Sequence, residues 1–157
     1  MKSYSIAAAT AADLADVARL FAQYQQHIGV DLSYQDFATE LAGLPGKYAA
    51  PRGRLLLARG GEGAAIGCVA LRPLDDAVCE MKRLFVAPGG RGLGLGRALA
   101  EAIIAAATQG GYAELRLDTL PTMREAIALY QTLGFEKIAP YYAGAPEGTV
   151  FMSRRLA

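Results

Sequence analysis

The stretch GGRGLGLG, residues 89–96, holds five glycines and one arginine among eight residues, and it stands between a strand pattern and a helix pattern. VCEMKRLFV, residues 78–86, predicts a strand that ends before Pro88, because proline cannot continue a ladder. The residues that follow predict a helix over about 93–109, ended by Gly110. A strand, a glycine loop and a helix in succession indicate a phosphate site, because the N–H groups at a helix N-terminus favour anions and glycine permits close approach.

Two familiar phosphate loops do not fit this stretch. A P-loop ends in Gly-Lys-Ser/Thr, whereas Gly96 is followed here by Arg97-Ala98. The dinucleotide fingerprint G-x-G-x-x-G fails in each frame, because its third glycine falls on Leu95, Arg97 or Leu99. On glycine count alone, a turn that merely links strand to helix remains an alternative to a phosphate site.

Hydrophobic periodicity and turn residues outside this unit predict a mixed α/β (α+β) domain. The predicted strands are YSIAAA (4–9), RLLLAR (54–59), AAIGCVALRPL (64–74), VCEMKRLFV (78–86), AELRLDT (113–119), FEKIAPYY (135–142) and TVFMSRRL (149–156). The predicted helices lie over about 10–27, 33–44, 93–109 and 122–133, three of them opened by the capping boxes Thr10/Asp13, Ser33/Asp36 and Thr122/Glu125.

Composition limits the classes of function. The 157 residues predict a single domain, 1–157, and the net charge of +1 argues against a nucleic-acid partner. Cys68 and Cys79 stand in apolar runs, which indicates reduced thiols, and no Cys/His cluster predicts a metal site. No apolar run reaches the roughly 18 residues of a membrane span and no signal peptide is evident. We therefore expect a cytoplasmic protein without a membrane partner.

The loop also fits the pattern Arg/Gln-x-x-Gly-x-Gly/Ala, from Arg91 to Gly96, and so resembles the acetyl-CoA loop of the GNAT N-acetyltransferase superfamily. RLFVAPGGRGLGLGRALAEAI (83–103) is similar to that family's strand–loop–helix unit, and AIALYQTLGFEKI (126–138) to its last helix and turn. The resemblance covers nearly the whole chain. It implies the GNAT acyl-CoA acyltransferase fold, with a mixed, mostly antiparallel sheet of six to seven strands and about four helices, and acetyl-CoA as acyl donor.

The resemblance also implies a donor site. The pyrophosphate of coenzyme A would lie on the N–H groups of the loop, and the pantetheine arm would pair with the preceding strand as an added strand. Many relatives carry an asparagine where this chain has Met123, whose side chain can only pack on the arm. The implied donor residues are Leu84, Phe85, Val86, Arg91, Gly92, Leu93, Gly94, Leu95, Gly96, Arg97, Met123 and Ala126.

Strict alternation along the strand before the loop predicts which side chains share a face. One predicted set is Glu80, Lys82, Leu84 and Val86, and the opposite set is Met81, Arg83 and Phe85.

Acetyl transfer to an amine needs a base for the proton of the acceptor and an acid for the departing thiolate. Tyr130, in ALYQTLGF, matches the family's tyrosine that protonates the thiolate, although a polar-tipped core residue would show the same pattern. Glu80 lies eleven residues before Arg91, the offset of the catalytic glutamate in the histone-acetylating branch. The alternatives are a surface glutamate paired with Lys82 and Arg83, and a water relay as base.

Family analogy places segments 27–37 and 140–148 beside the acceptor, where Tyr34, Tyr141 and Tyr142 would line a small apolar pocket or simply pack. No cysteine stands where a ping-pong nucleophile is expected, although Cys79 lies close to that place in the sequence and remains an alternative. The sequence therefore predicts an N-acetyltransferase, monomeric or homodimeric, that acts on the primary amine of a small molecule by direct attack in a ternary complex. The alternatives are a protein or peptide acetyltransferase and a non-catalytic acyl-CoA binding domain.

Overall fold

The computed structural model describes residues 4–30 and 32–156, without the side chains of residues 33 and 34, and this part forms one seven-stranded sheet with four α-helices. The strands are β1 (Tyr4–Ala8), β2 (Arg54–Gly60), β3 (Ala65–Pro73), β4 (Val78–Val86), β5 (Glu114–Thr119), β6 (Glu136–Ile138) and β7 (Val150–Arg155). The helices are α1 (Leu14–Ile28), α2 (Phe37–Ala42), α3 (Leu95–Gln109) and α4 (Arg124–Thr132).

The strand order is β1-β2-β3-β4-β5-β7-β6, and every neighbouring pair is antiparallel except β4 and β5, which α3 connects in parallel. This topology confirms the predicted mixed, mostly antiparallel sheet with about four helices. No helix among the described residues combines the length and the apolar character that a bilayer span needs.

Several element boundaries differ from the sequence prediction. Helix α2, expected over about 33–44, is limited to Phe37–Ala42. The strand expected over 135–142 is limited to β6, and Pro140, which has no N–H to donate, follows two residues later. Helix α3 begins two residues late, because Gly94 has a φ of 72° and cannot continue a right-handed helix. The predicted box from Thr122 to Glu125 is wrong, since Met123 caps α4 without a side-chain hydrogen bond.

Two apolar cores lie on the two faces of the sheet. One lies under α3, where Leu99 and Ile103 pack with Leu115 of β5. The other lies under α1, where Leu20 and Phe21 pack with strand residues of β2 and β3.

Strand β4 contains a bulge. Between Cys68 and Ala70 of β3, the facing strand β4 runs from Phe85 to Lys82 and so contains one residue more. Arg83 has a φ of 62°, a left-handed conformation that costs about 1 kcal/mol or more outside glycine and marks the extra residue. The bulge turns the strand where it approaches the glycine loop.

The predicted alternation of β4 side chains is therefore wrong beyond Lys82. Leu84 and Val86 pack in the α3 core together with Met81, whereas Phe85 packs in the α1 core. A single residue with positive φ moves every later side chain of the strand to the opposite face.

Strands β4 and β5 pair only over their first residues, from Val78 with Glu114 to Glu80 with Arg116. Beyond this point no ladder joins them, while β3 and β7 occupy their outer edges. The sheet thus opens into a cleft in which β4 and β5 do not pair with each other.

Candidate active site

The glycine loop lies between the end of β4 and the N-terminus of α3. Gly92 and Gly94 have φ values of 83° and 72°, and a Cβ added at either would meet no atom within 4 Å. No side chain caps α3, and its first backbone hydrogen bond runs from the Ala98 N–H to the Gly94 carbonyl (3.2 Å). The N–H groups of the first turn therefore point into open space, as an anion site requires.

Two arginines flank this space. The Nε of Arg91 donates to the Val86 carbonyl (3.3 Å), and the Nη1 of Arg97 donates to Thr132 Oγ1 (3.2 Å). Both side chains are exposed, so they add positive charge without closing the loop. The Leu95 side chain is different, because it is buried in the α3 core and leaves only its N–H for a ligand. The loop residues that the sequence indicated thus fit a pyrophosphate.

The cleft between β4 and β5 holds a cavity of about 70 Å³. The lining residues are Tyr24, Met81, Lys82, Arg83, Leu84, Leu117, Asp118, Thr119, Met123, Ala126 and Tyr130. Four residues that the sequence indicated, Leu84, Met123, Ala126 and Tyr130, therefore come together here. The open strand edges can pair with the amides of an extended ligand such as a pantetheine arm.

Two of the predicted donor residues stand outside the cleft. The Phe85 ring packs against Tyr24 and His27, with ring centroids 6.4 and 5.8 Å away, on the opposite face of the sheet. Val86 lies beneath the loop, 3.9 Å from the Cβ position of Gly96. Only the backbone of these two residues is available to a ligand in the cleft.

Tyr130 is buried on α4, with its ring centroid 5.8 Å from that of Phe135. Burial raises the pKa of its phenol above the ordinary value. The hydroxyl therefore carries its proton at neutral pH while its side chain borders the cleft. Tyr130 is a core residue and a cleft residue at once, so packing does not exclude a role as acid.

Glu80 is 0% exposed and is not the surface residue that was the alternative to a base. Its Oε1 accepts a hydrogen bond from Arg72 Nε (2.7 Å), and its Oε2 accepts one from the Tyr141 hydroxyl. Arg83, expected as a partner, pairs instead with Glu40, whose two oxygens lie 2.9 Å from its Nε and Nη2. Both oxygens of Glu80 thus have donors in this structure.

Lys82 and Asp118 are site residues that the sequence reasoning missed. The Lys82 Nζ lies 3.9 Å from Glu80 Oε1 and 3.7 Å from Asp118 Oδ1, and its side chain is 7% exposed. Burial lowers the pKa of Lys82 below its ordinary value, although both carboxylates act in the opposite direction. Tyr142 donates to Asp118 as Tyr141 does to Glu80, so the late loop covers both carboxylates.

A larger cavity of about 500 Å³ lies on the other side of this network, between α2, the turn that follows it, the end of β3 and the late loop. Tyr141 and Tyr142 line it, as the prediction of an acceptor pocket requires, and charged side chains border it as well. The Tyr34 side chain lies outside the described residues. Lys82 and Arg83 border both cavities, so the two spaces meet at the β4 bulge.

The Arg83–Glu40 pair fixes one wall of this larger cavity. The Arg83 side chain is 2% exposed, and its Cζ lies 5.2 Å from the centroid of the Phe37 ring. The pair joins the bulge of β4 to helix α2, two elements that are far apart in the chain. It therefore sets the shape of the cavity, because a bidentate pair at a buried position allows little movement.

Comparison with known families and proteins gives a consistent result. The model of the acetyltransferase (GNAT) family matches residues 14–135. A relative from Schizosaccharomyces pombe, named an uncharacterized N-acetyltransferase, is 43% identical over 141 residues, which cover 89% of this chain and 86% of that protein.

Solved structures share the fold. An acetyltransferase of the GNAT family from Staphylococcus aureus superposes with a TM-score of 0.82 at 21% identity, covering 99% of this chain and 100% of its own. A GNAT phosphinothricin acetyltransferase from Sinorhizobium meliloti, solved in complex with acetyl-CoA, gives a TM-score of 0.73 at 22% identity, covering 98% of this chain and 89% of its own.

Proposed function

Since the chain belongs to the acetyltransferase (GNAT) family, we propose that it transfers the acetyl group of acetyl-CoA to the primary amine of a small-molecule acceptor, by direct attack in a ternary complex. Membership in the family makes it an N-acetyltransferase with acetyl-CoA as donor. The nature of the acceptor and the roles of individual residues are the proposal.

The loop and the cleft are the donor site in this proposal. Acetyl-CoA supplies an activated thioester. The N–H groups of the first turn of α3 bind its pyrophosphate, and Arg91 and Arg97 add charge at the rim. The open edges of β4 and β5 bind the pantetheine amides, with Leu84, Met123 and Ala126 as apolar walls.

The proposal of a small-molecule acceptor rests on the cavity of about 500 Å³, which meets the cleft at Lys82 and Arg83. Its volume lies in the range of small-molecule sites, about 300–1,000 Å³. A domain that only binds acyl-CoA has no need of a second space at the thioester. A peptide acceptor needs a groove that extends along the surface, whereas α2 and the late loop wall this cavity.

Tyr130 is the proposed acid. Its buried phenol keeps its proton at neutral pH and borders the cleft in which the thioester would lie. A thiolate of comparable basicity can take that proton as it departs.

Two groups are candidates for the base. Glu80 is the residue that the sequence indicated, but both its oxygens already accept hydrogen bonds and it borders neither cavity. Lys82 borders both cavities, and burial lowers its pKa toward the range of a base at neutral pH. The geometry favours Lys82 as base, with Glu80 and Asp118 stabilising the ammonium that forms.

The direct test is a screen of the purified protein with acetyl-CoA and a library of primary amines, with products detected by mass. We expect one chemical class of small amine to gain an acetyl group. Acetylation of peptide N-termini but not of small amines would favour the protein-acceptor alternative. Coenzyme A binding without any product would favour the non-catalytic domain.

A further inference from the structure

The charged side chains that line the larger cavity indicate which class of acceptor it can bind. Four cationic side chains line it, together with two carboxylates. The cations are Lys47, Arg72, Lys82 and Arg83, and the carboxylates are Asp36 and Glu40. A bound molecule can form ion pairs only with those charged side chains that are not already paired within the protein.

Two of the four cations already face carboxylates of the protein. Arg83 uses Nε and Nη2 on the two oxygens of Glu40, and hardly any of its side chain is exposed. Lys82 lies between Glu80 and Asp118, beneath the tyrosines of the late loop. Neither is available to hold a remote charged group of an acceptor.

The other two cations retain donors. Arg72 donates to Glu80 through Nε, and among the described residues its terminal nitrogens Nη1 and Nη2 make no hydrogen bond, although 26% of the side chain is exposed. Lys47 is exposed and forms no ion pair with any described carboxylate. These two residues supply a planar fork and a point charge, a combination suited to a carboxylate.

The remaining lining carboxylate, Asp36, lies elsewhere on the rim. It is exposed at the N-terminus of α2, where its Oδ1 accepts a hydrogen bond from Thr39 Oγ1 (3.0 Å). A plain monoamine would leave the donors of Arg72 and Lys47 unused, and a polyamine would bring further positive charge to them. An acceptor with both an amine and an anionic group complements the lining at both ends.

We infer that the acceptor carries a carboxylate in addition to its amine, as an amino acid does, and that Lys47 and the terminal nitrogens of Arg72 bind this carboxylate. The inference rests on the proposed function, since it names the substrate class of the same site. The amine then points toward Lys82 and the cleft, and the carboxylate toward the turn that carries Lys47.

The test uses matched acceptors with acetyl-CoA: the common L-amino acids, β-alanine and 4-aminobutanoate, the carboxamide of each acid that reacts, and spermidine. Rates are compared per fraction of neutral amine. We expect kcat/KM for the best acid to exceed that for its amide by about tenfold or more, because a charged hydrogen-bonded pair is lost in the amide.

Variants test whether the preference for the acid over its amide depends on Lys47 and Arg72. Lys47→Met and Arg72→Lys should each lower the acid-to-amide ratio by about threefold or more. Lys137→Met, at an exposed lysine on β6 that does not line the cavity, should leave the ratio unchanged. Asp36→Asn should leave it unchanged or raise it, because it removes a negative charge from the rim.

The outcomes separate this inference from the proposed function. Equal rates for acid and amide, or spermidine as the best acceptor, would overturn the inference and leave a small-molecule acetyltransferase in place. A clear acid preference that survives both Lys47→Met and Arg72→Lys would overturn the assignment of the anion site. If no small amine is acetylated at all, the inference and the proposed function fail together.

Discussion

The glycine loop and the larger cavity differ in how the chain builds them. The loop is made by neighbouring residues and acts through its backbone, with Gly92 and Gly94 leaving open space above the first turn of α3. The cavity is made by side chains from α2, β3, β4 and the late loop, which are brought together only by folding. A site for a common donor can thus be encoded locally, whereas the site for a particular acceptor depends on tertiary structure.

The strongest test of this contrast is Gly94→Val. A side chain here would occupy the space proposed for the phosphates and would strain a φ of 72°. We expect coenzyme A affinity, measured by calorimetry, to fall by about a thousandfold or more, because several charge-assisted hydrogen bonds are lost together.

Gly63→Val is the matched control. Gly63 lies in the β2–β3 turn with a φ of 89°, and a Cβ there also meets nothing within 4 Å. It should cost similar backbone strain and leave coenzyme A binding intact. If both variants lose affinity to the same extent, the loss comes from the backbone and the phosphate site is wrong.

Tyr130→Phe tests the proposed acid in the cleft, where donor and acceptor would meet. The ring packing is kept and the proton is removed, so turnover should fall roughly ten- to a thousandfold while acetyl-CoA affinity stays nearly constant. Steady-state kinetics and calorimetry measure the two effects separately.

Tyr112→Phe is the control for a buried tyrosine. Its hydroxyl donates to the Arg52 carbonyl (2.6 Å), and Tyr112 borders neither cavity. That variant should lose about 1 kcal/mol of stability and keep its turnover. Unchanged turnover in Tyr130→Phe would make Tyr130 a packing residue only.

Glu80→Gln decides between the two candidate bases through the pH–rate profile. If neutral Lys82 is the base, the rate rises with pH through the pKa of Lys82. Removing the Glu80 charge, which raises that pKa, should move the rising limb to lower pH. If Glu80 is the base, the rate at neutral pH should instead collapse and recover at high pH.

Glu114→Gln controls for the loss of a carboxylate from the sheet. Glu114 accepts hydrogen bonds from Arg116 Nε (2.7 Å) and Ser153 Oγ (2.6 Å), and it borders neither cavity. Its profile should overlay that of the wild type. A Glu80→Gln profile that also overlays it would remove both Glu80 and Lys82 from the proton transfer and leave a water relay.

Replacing either cysteine is expected to change turnover the least. Both thiols are buried, and burial raises the pKa of Cys68 and of Cys79 to about 12, so neither is a thiolate at neutral pH. Cys68→Ala and Cys79→Ala should each retain turnover within about threefold, as direct attack requires no covalent intermediate. An acetylated enzyme, detected by intact mass after incubation with acetyl-CoA alone, would contradict this.

The sequence predicted what local rules determine. Glycine spacing indicated the loop, and periodicity gave the elements and their order. The bulge at Arg83 was not predicted, because strict alternation assumes a regular ladder. A non-glycine residue with positive φ also has no dependable sequence signal. The only available hint at Lys82 and Asp118 was a charged residue inside an apolar strand pattern. Arg72 offered no hint, since its role depends on Glu80 from the neighbouring strand.

The measurement that tests the central claim most directly is the initial velocity with acetyl-CoA and the best acceptor varied together. In the proposed ternary complex, the donor occupies the loop and cleft while the acceptor occupies the larger cavity, with Lys82 and Arg83 at the junction. We therefore expect double-reciprocal lines that intersect. Parallel lines would mean that coenzyme A leaves before the acceptor binds, and would contradict direct attack in a ternary complex.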